Sequence, residues 1–265
     1  MTRVADLMSS PVVSCRSDAS LGEVAALLAE RRIHGVVVLD ESGRMAGVVA
    51  DTDLLAGEWL ASDAESLETM RSMTAGEMMT IPPVTIDADA PITDAAIRLR
   101  DERLSRLVVT QDELAVGVLA TSDLVRFLGH GNLGRGIVAH VMTHGLVACR
   151  DGATVRQVAR VMTEHRVRAV VVVAANGSPL GVVTGTDLLD VVGDDADAVT
   201  VAQLMRVPIM IDPGATLREA ADLMLEHEVH RLVVVDASEP GSLPLGVVAT
   251  TDIVAEMAEP GSVWR

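Results

Sequence analysis

Four aspartates, each directly preceded by a hydroxyl residue, are the side chains in this sequence best suited to chemistry. A carboxylate has two acceptor oxygens, which suit the two hydroxyls of a cis-diol such as those of ribose. The hydroxyl residues can cap the free N–H groups at a helix start, where partial positive charge also favours an anion. The alternative is purely structural, because Thr/Ser-Asp is ordinary chemistry for a helix start. The pairs are Thr52 and Asp53, Ser122 and Asp123, Thr186 and Asp187, and Thr251 and Asp252.

Each of these aspartates ends a similar segment, and the same order of elements precedes each segment. In the third copy, a short apolar lead-in (138–142) is followed by a strand pattern (146–149) and a helical stripe (153–167). The β-branched run "AVVVV" then predicts a strand covered on both faces. We expect the glycines that begin the four segments to matter for a ligand. The segments are "GVVADTD" (47–53), "GVLATSD" (117–123), "GVVTGTD" (181–187) and "GVVATTD" (246–252).

A second level of repetition indicates that a two-repeat unit was duplicated. Residues 4–53 align with residues 138–187 at a constant offset of 134, and 20 of these 50 positions are identical. Cys15 falls on Cys149, so the two cysteines are predicted to be small buried apolar residues at one structural position. Two cysteines alone favour a reducing compartment over a disulfide framework.

Basic side chains gather where the long helix of each repeat meets its second strand. All 21 basic residues are arginine and the net charge is −17, so a repeated cationic cluster is notable. Guanidinium groups bind phosphate well, although cations also favour helix C-termini for electrostatic reasons alone. The cluster contains Arg31, Arg32, His34, Arg103, Arg106, His165, Arg166, Arg168, His227, His230 and Arg231, from which we select Arg106, Arg168, His230 and Arg231 as phosphate contacts.

The four segments resemble the closing motif of the CBS domain, Gly-hydrophobic-x-Thr/Ser-x-x-Asp. The third copy fits the motif in full through Thr184, whereas Ala50, Ala120 and Ala249 stand at that position elsewhere. The resemblance implies an α/β (α+β) fold of four β-α-β-β-α repeats that form two Bateman modules packed as a disc. It places repeats at about 4–56 and 75–128 in a first module (1–128), and at about 138–192 and 201–257 in a second (138–265).

The fourth copy also resembles one group of CBS proteins through "VHRLVVVD", residues 229–236. The stretch is similar to one in the gamma subunit of AMP-activated protein kinase, where the His and Arg reach the phosphates of adenine nucleotides. The resemblance implies that AMP, ADP or ATP is bound as a regulatory ligand and that Thr184 joins the ligand contacts. One strand position could line an adenine slot or be ordinary core; it holds Val13, Val84, Val147 and Ile209.

The stretch "GHGNLGRG", 129–136, contains the G-x-G-x-x-G spacing of a dinucleotide loop. A genuine dinucleotide loop follows a strand and opens a helix. This stretch instead follows the closing helix of the second repeat and precedes the lead-in of the third. We therefore predict a Gly-rich joint over residues 129–137 between the two modules.

Composition excludes several other classes of protein. The net charge of −17 opposes binding to nucleic acid and anionic membranes. No apolar run is long enough for a membrane helix or a secretory signal, so a cytoplasmic location is expected. His140 and His144 lie one helical turn apart, but no further ligand completes a metal site. No nucleophile–base grouping recurs with the repeats, so we predict neither catalytic residues nor an enzyme.

Three functions therefore stand as alternatives. The leading one is a free-standing sensor that binds an adenosyl small molecule and acts on an unknown protein partner in trans. The second is a scaffold with degenerate sites, which the three alanines at the Thr/Ser position favour. The third is an S-adenosylmethionine or NAD binder that uses the same slot. The assembly is expected to be a monomeric disc or a homodimer. Within the sensor hypothesis, the second module, with Thr184 and "VHR", is expected to bind more tightly than the first.

Overall fold

The structure is a computed structural model that describes residues 2–54, 68–70, 72–129, 136–189, 191, 194–236, 238 and 243–259. Statements about the fold refer to these residues. Most of the predicted Gly-rich joint, residues 130–135, lies outside them. Gly129 ends a helix, and Ile137 precedes the next one.

The predicted β-α-β-β-α order is confirmed in all four repeats. The first two strands pair in parallel across the long helix, and the second and third strands form an antiparallel pair. Repeat 1 consists of Ser14–Arg16, Leu21–Arg31, Gly35–Leu39, Met45–Ala50 and helical residues 51–54. Repeat 2 consists of Thr85–Asp87, Ile92–Asp101, Arg106–Gln111, Leu114–Ala120 and Thr121–Gly129. Repeat 3 consists of Ala148–Arg150, Val155–His165, Ala169–Val173, Pro179–Thr184 and Gly185–Leu189. Repeat 4 consists of Met210–Ile211, Leu217–Glu226, Arg231–Val234, Gly246–Ala249 and Thr250–Met257.

The long helices of repeats 1, 3 and 4 begin with capping boxes. Ser20, Thr154 and Thr216 accept a hydrogen bond from the backbone N–H three residues later, and the Glu or Gln at that position reaches back. Pro91 precedes the corresponding helix of repeat 2, where its missing N–H leaves no unsatisfied donor. The apolar stripe of each helix then packs on its sheet, whose middle strand is buried on both faces, as in 170–172.

Lead-in segments are exchanged between consecutive repeats. The short helical lead-ins are Val4–Asp6, Ala75–Met78, Val138–Val141 and Val201–Gln203. Ser9, after the first of them, exchanges two backbone hydrogen bonds of 2.9 and 3.0 Å with Val118 of repeat 2. Thr80 does the same with Val48 of repeat 1, at 2.9 and 3.3 Å. In the second half of the chain, strand Thr143–His144 pairs with strand Gly246–Ala249 and Arg206 pairs with Val182.

The four strand glycines make this exchange possible. A Cβ at Gly47 would lie 2.7 Å from Met79 Sδ, and one at Gly117 would lie 2.7 Å from Met8 Sδ. A Cβ at Gly181 would collide with Met205. At the fourth position, Gly246, it would collide with the carbonyl oxygen of Thr143. These glycines allow the close approach of a neighbouring lead-in, and their expected importance for a ligand stays a prediction.

The chain divides into two compact units that interleave the repeats. One unit contains Met1–Val12, Val84–Leu146 and Pro208–Arg265, and therefore the bodies of repeats 2 and 4 around one aliphatic core. The other contains Val13–Pro83 and Val147–Val207, with the bodies of repeats 1 and 3 around two cores. This division by contacts differs from the sequential modules 1–128 and 138–265, which remain a prediction about how repeats pair around ligand.

Candidate functional site

Each of the four aspartates is the third residue of a helix that starts directly after the last strand of its repeat. In repeats 1, 2 and 4, Oδ2 of the aspartate accepts a 2.8 Å hydrogen bond from the N–H of the alanine three residues earlier. In repeat 3 the same bond joins the N–H of Thr184 to Asp187 at 2.9 Å. A strand that ends in this way fixes one carboxylate oxygen at the positive end of the helix.

The predicted capping role of the hydroxyl residues is wrong. The four residues are the second residues of their helices, two residues after the N-cap: Thr52, Ser122, Thr186 and Thr251. The residue before each helix is alanine in three repeats and has no side-chain oxygen to offer. The exception is Thr184, whose hydroxyl binds Asp187 and lies 2.9 Å from the Thr186 hydroxyl.

The predicted phosphate contacts do lie beside the helix starts. Backbone carbonyls of His34, Ser105, Arg168 and His230 accept the N–H of the first helical residue of their own repeat, at 3.0, 2.9, 3.2 and 3.0 Å. Arg106 and Arg231 come next in the chain and pair across the sheet with the alanines that precede the helices. The structure therefore brings Arg106, Arg168, His230 and Arg231 to the same end of each sheet as the aspartates.

One aligned position near the C-terminal end of each long helix has an unusual backbone conformation. It lies one or two residues after the helix and is left-handed in every repeat, with φ of 52°, 54°, 52° and 52° at Arg32, Arg103, Arg166 and Glu228. A side chain in this region costs about 1–2 kcal/mol, and glycine is the usual occupant. Strain kept at one repeated position is typical of sites under a functional constraint.

The four carboxylates differ in what else they bind. Asp187 receives Arg206 on Oδ1, from Nε at 2.9 Å and Nη2 at 2.8 Å. Oδ1 of Asp123 accepts a 3.2 Å hydrogen bond from Arg126, whose side chain is largely exposed. Among the described residues, Oδ1 of Asp53 and of Asp252 accepts no hydrogen bond.

Burial raises the pKa of Asp53 and of Asp252 above the ordinary aspartate value. In both cases the backbone N–H bond opposes the rise, as does a nearby guanidinium. That guanidinium belongs to Arg168 for Asp53 and to Arg231 for Asp252, while Asp51 raises the pKa of Asp53 further. In both cases the hydrogen bonds and the nearby cation do not fully offset the cost of burying the charged carboxylate.

Two further contacts at the helix starts escaped the sequence analysis. In repeat 1, Nδ1 of His34 lies 2.8 Å from Oδ2 of the buried Asp51. In the unit formed by repeats 2 and 4, the buried hydroxyls of Thr121 and Thr250 are 2.8 Å apart. Asp51, Thr121 and Thr250 are the first residues of their helices. The aligned position reads Asp, Thr, Gly and Thr in the four repeats, so an alignment of the repeats would have shown that it varies.

The predicted adenine slot occupies core-like positions. Val13, Val84, Val147 and Ile209 are partly buried and pack against the hydrophobic clusters. Their carbonyls accept hydrogen bonds of 2.9–3.3 Å from the second strand of each repeat. These contacts support the core interpretation, and a role in binding adenine stays a prediction. In the described part of the chain, no three His, Cys, Asp or Glu side chains gather to hold a metal ion.

The fold and the repeated helix-start site define a protein built from four copies of one β-α-β-β-α unit. The CBS domain family matches residues 4–58, 75–130, 138–194 and 201–259, so the chain belongs to the CBS domain family. Across the described residues, none of the helices is long and apolar enough to cross a membrane.

A similar fold occurs in MJ1225 of Methanocaldococcus jannaschii, a proposed archaeal homologue of g-AMPK, with a TM-score of 0.84 and 18% identity over 96% of this chain and 99% of that one. Protein MJ1404 of the same organism is 24% identical over 55% of this chain and 36% of its own length. Arabinose 5-phosphate isomerase KpsF of Escherichia coli is 34% identical over 42% of this chain and 32% of its own. The chain thus aligns with about a third of the length of these two relatives.

Proposed function

We propose that this protein is a regulatory sensor, without catalytic activity, that binds AMP, ADP or ATP at the helix starts of Asp53 and Asp252. The observation that carries the proposal is that only one oxygen of each of these two carboxylates accepts a hydrogen bond within the described residues. One oxygen is fixed by a backbone N–H, and the other accepts nothing from the described residues. A partly buried acceptor without a donor is costly, and the adjacent hydroxyls of ribose would supply two donors.

The cations beside these carboxylates favour a phosphorylated ligand. Arg168 comes from repeat 3 and acts on Asp53 of repeat 1 within one compact unit, so the site would be built from two repeats. In the other unit, Arg231 acts on Asp252 within repeat 4. A carboxylate for the diol and a guanidinium for the phosphate are the two recognition elements a nucleotide requires. The resemblance of residues 229–236 to the gamma subunit stretch agrees with this choice.

Binding at such sites would change the equilibrium between conformations and so control a protein partner. A second candidate, a scaffold with degenerate sites, is favoured at two repeats by specific contacts. The chain's own arginines, Arg206 and Arg126, occupy Asp187 and Asp123 there. Because Asp187 is already occupied, the expectation that the second module binds more tightly would rest on Asp252 alone.

Titration calorimetry with AMP, ATP, NAD and S-adenosylmethionine tests the proposal. We expect AMP or ATP to bind, and Asp53→Asn/Asp252→Asn to weaken binding by about tenfold or more, since charge-assisted bonds become neutral ones. Asp222→Asn is the matched control, because Asp222 is exposed on a helix face. Absence of heat with all four compounds at millimolar concentration would support the scaffold. Binding of NAD or S-adenosylmethionine alone would identify a different adenosyl ligand.

A further inference from the structure

Arg206 occupies a position where the other three repeats carry small hydroxyl residues. The lead-ins "LMSSP", "MMTIP", "VMTHG" and "LMRVP" align Arg206 with Ser9, Thr80 and Thr143. All four positions lie beside a strand of the neighbouring repeat, and Arg206 exchanges backbone hydrogen bonds of 2.9 and 3.0 Å with Val182. Of these four side chains, only that of Arg206 is long enough to reach a helix-start aspartate.

The guanidinium of Arg206 completes the coordination of Asp187. Oδ2 accepts the N–H and the hydroxyl of Thr184, Oδ1 accepts the Nε–H of Arg206, and Nη2 of Arg206 lies 2.8 Å from Oδ1 as an ion pair. Both oxygens of this buried carboxylate therefore already have donors from the protein. Neither oxygen of Asp187 remains available for a diol, in contrast to Oδ1 of Asp53 and Asp252.

We propose that Arg206 is a built-in occupant of the third repeat and decides whether the site at Asp187 accepts a nucleotide. The inference rests on the proposed function, since it assumes that helix-start aspartates bind the ribose diol. A nucleotide would have to displace the guanidinium of Arg206, which forms an ion pair with Asp187, and its hydroxyl donors would bring no opposite charge to this buried carboxylate. The repeat that matches the family motif in full, through Thr184, therefore stays closed to the nucleotide.

The exposure of the two side chains differs, and the Arg206 side chain contributes little buried packing to the fold. The side chain of Arg206 is 77% exposed, whereas that of Asp187 is 6% exposed. The backbone of Arg206, which holds the lead-in against Val182, does not depend on the side chain. Arg206→Thr, which installs the residue found at 80 and 143, should therefore fold and open Asp187.

Calorimetry with AMP on the full chain tests this inference through the number of sites. We expect the Arg206→Thr variant to bind one more AMP per chain than the unmodified protein. The site in its third repeat should bind AMP at least about tenfold more tightly than the same site in the unmodified protein. Arg206→Gln, which keeps a hydrogen-bonding side chain but is shorter and uncharged, should give the same direction with a smaller gain. Adding Asp187→Asn to Arg206→Thr should abolish the gain. Arg160→Thr removes an exposed arginine from the same repeat and should leave the number of sites unchanged.

The outcomes separate this inference from the proposed function. If the unmodified protein binds AMP and neither Arg206 variant adds a site, the inference is wrong and the proposed function stands. If the variants bind fewer AMP molecules, Arg206 is a ligand contact and the inference is overturned. If only the Arg206 variants bind AMP, through Asp187, the inference holds and the proposal for Asp53 and Asp252 fails.

Discussion

Gly181→Ala is expected to destabilise the protein by forcing a lead-in away from its strand. The new Cβ would lie 2.7 Å from Cβ, Cγ and Sδ of Met205. Rotation of the Met205 side chain cannot move its own Cβ, so the backbone must retreat by about 0.7 Å to reach ordinary contact. That movement strains the two hydrogen bonds between Val182 and Arg206.

The size of the effect follows from these contacts. Overpacking costs about 1–3 kcal/mol. Two backbone hydrogen bonds contribute about 1 kcal/mol each. Alanine lowers the conformational entropy of the unfolded chain, which stabilises the folded state by about 0.4–1 kcal/mol. We therefore expect Gly181→Ala to lower the free energy of unfolding by about 2–4 kcal/mol.

Urea unfolding followed by far-ultraviolet circular dichroism measures this loss. Amide hydrogen exchange at Val182 and Arg206 reports the local opening, which matters because the chain has two compact units and the transition need not be two-state. Gly152→Ala is the control, because no heavy atom lies within 4 Å of its Cβ position. If Gly181→Ala keeps the unfolding midpoint and the amide protection of the control, the close approach inferred for the lead-in is incorrect.

Four other outcomes are expected. Arg166→Gly should stabilise the fold by about 0.5–1 kcal/mol in urea titrations, because glycine avoids the cost of a left-handed side chain. Thr121→Val should cost about 1–3 kcal/mol by stranding the buried Thr250 hydroxyl, and Thr121→Val/Thr250→Val should recover part of it in a double-mutant cycle. Since the pKa of Asp252 in the folded protein is raised, its contribution to stability is present below the unfolded pKa and is lost as pH rises. Asp252→Asn should therefore raise the melting temperature at neutral pH but not in acid. Burial raises the pKa of Cys149 to about 11, so iodoacetamide should alkylate it much more slowly in native than in unfolded protein at pH 7.5.

The sequence was sufficient for those parts of the fold that local chemistry specifies. Ser20, Thr154 and Thr216 start their helices because a side-chain oxygen caps the first turn, and the run 169–173 forms a strand because its β-branched residues favour one. The close placement of Arg231 and Asp252 was also predictable, since a strand start and a helix start meet across an antiparallel pair.

The partners of each carboxylate could not be predicted, because they depend on tertiary contacts. Arg206 reaches Asp187 only through a lead-in that lies on the preceding repeat, and periodicity carries no information about that exchange. The family motif predicted Thr184 to be a ligand contact, yet its hydroxyl donates to Asp187 in the structure. The one available signal was the aligned column of Ser9, Thr80, Thr143 and Arg206, in which a single residue differs in size and charge.

The exchanged lead-ins also bear on how such a chain could grow during evolution. A lone repeat would leave the edge of its last strand bare, and its own lead-in would have nothing to cover. Two consecutive repeats satisfy each other, as Ser9 with Val118 and Thr80 with Val48 show. The smallest piece of gene whose copy keeps both of these backbone pairings is therefore a pair of repeats. That requirement gives a physical reason for the offset of 134 residues, two repeats long, between the halves of this sequence.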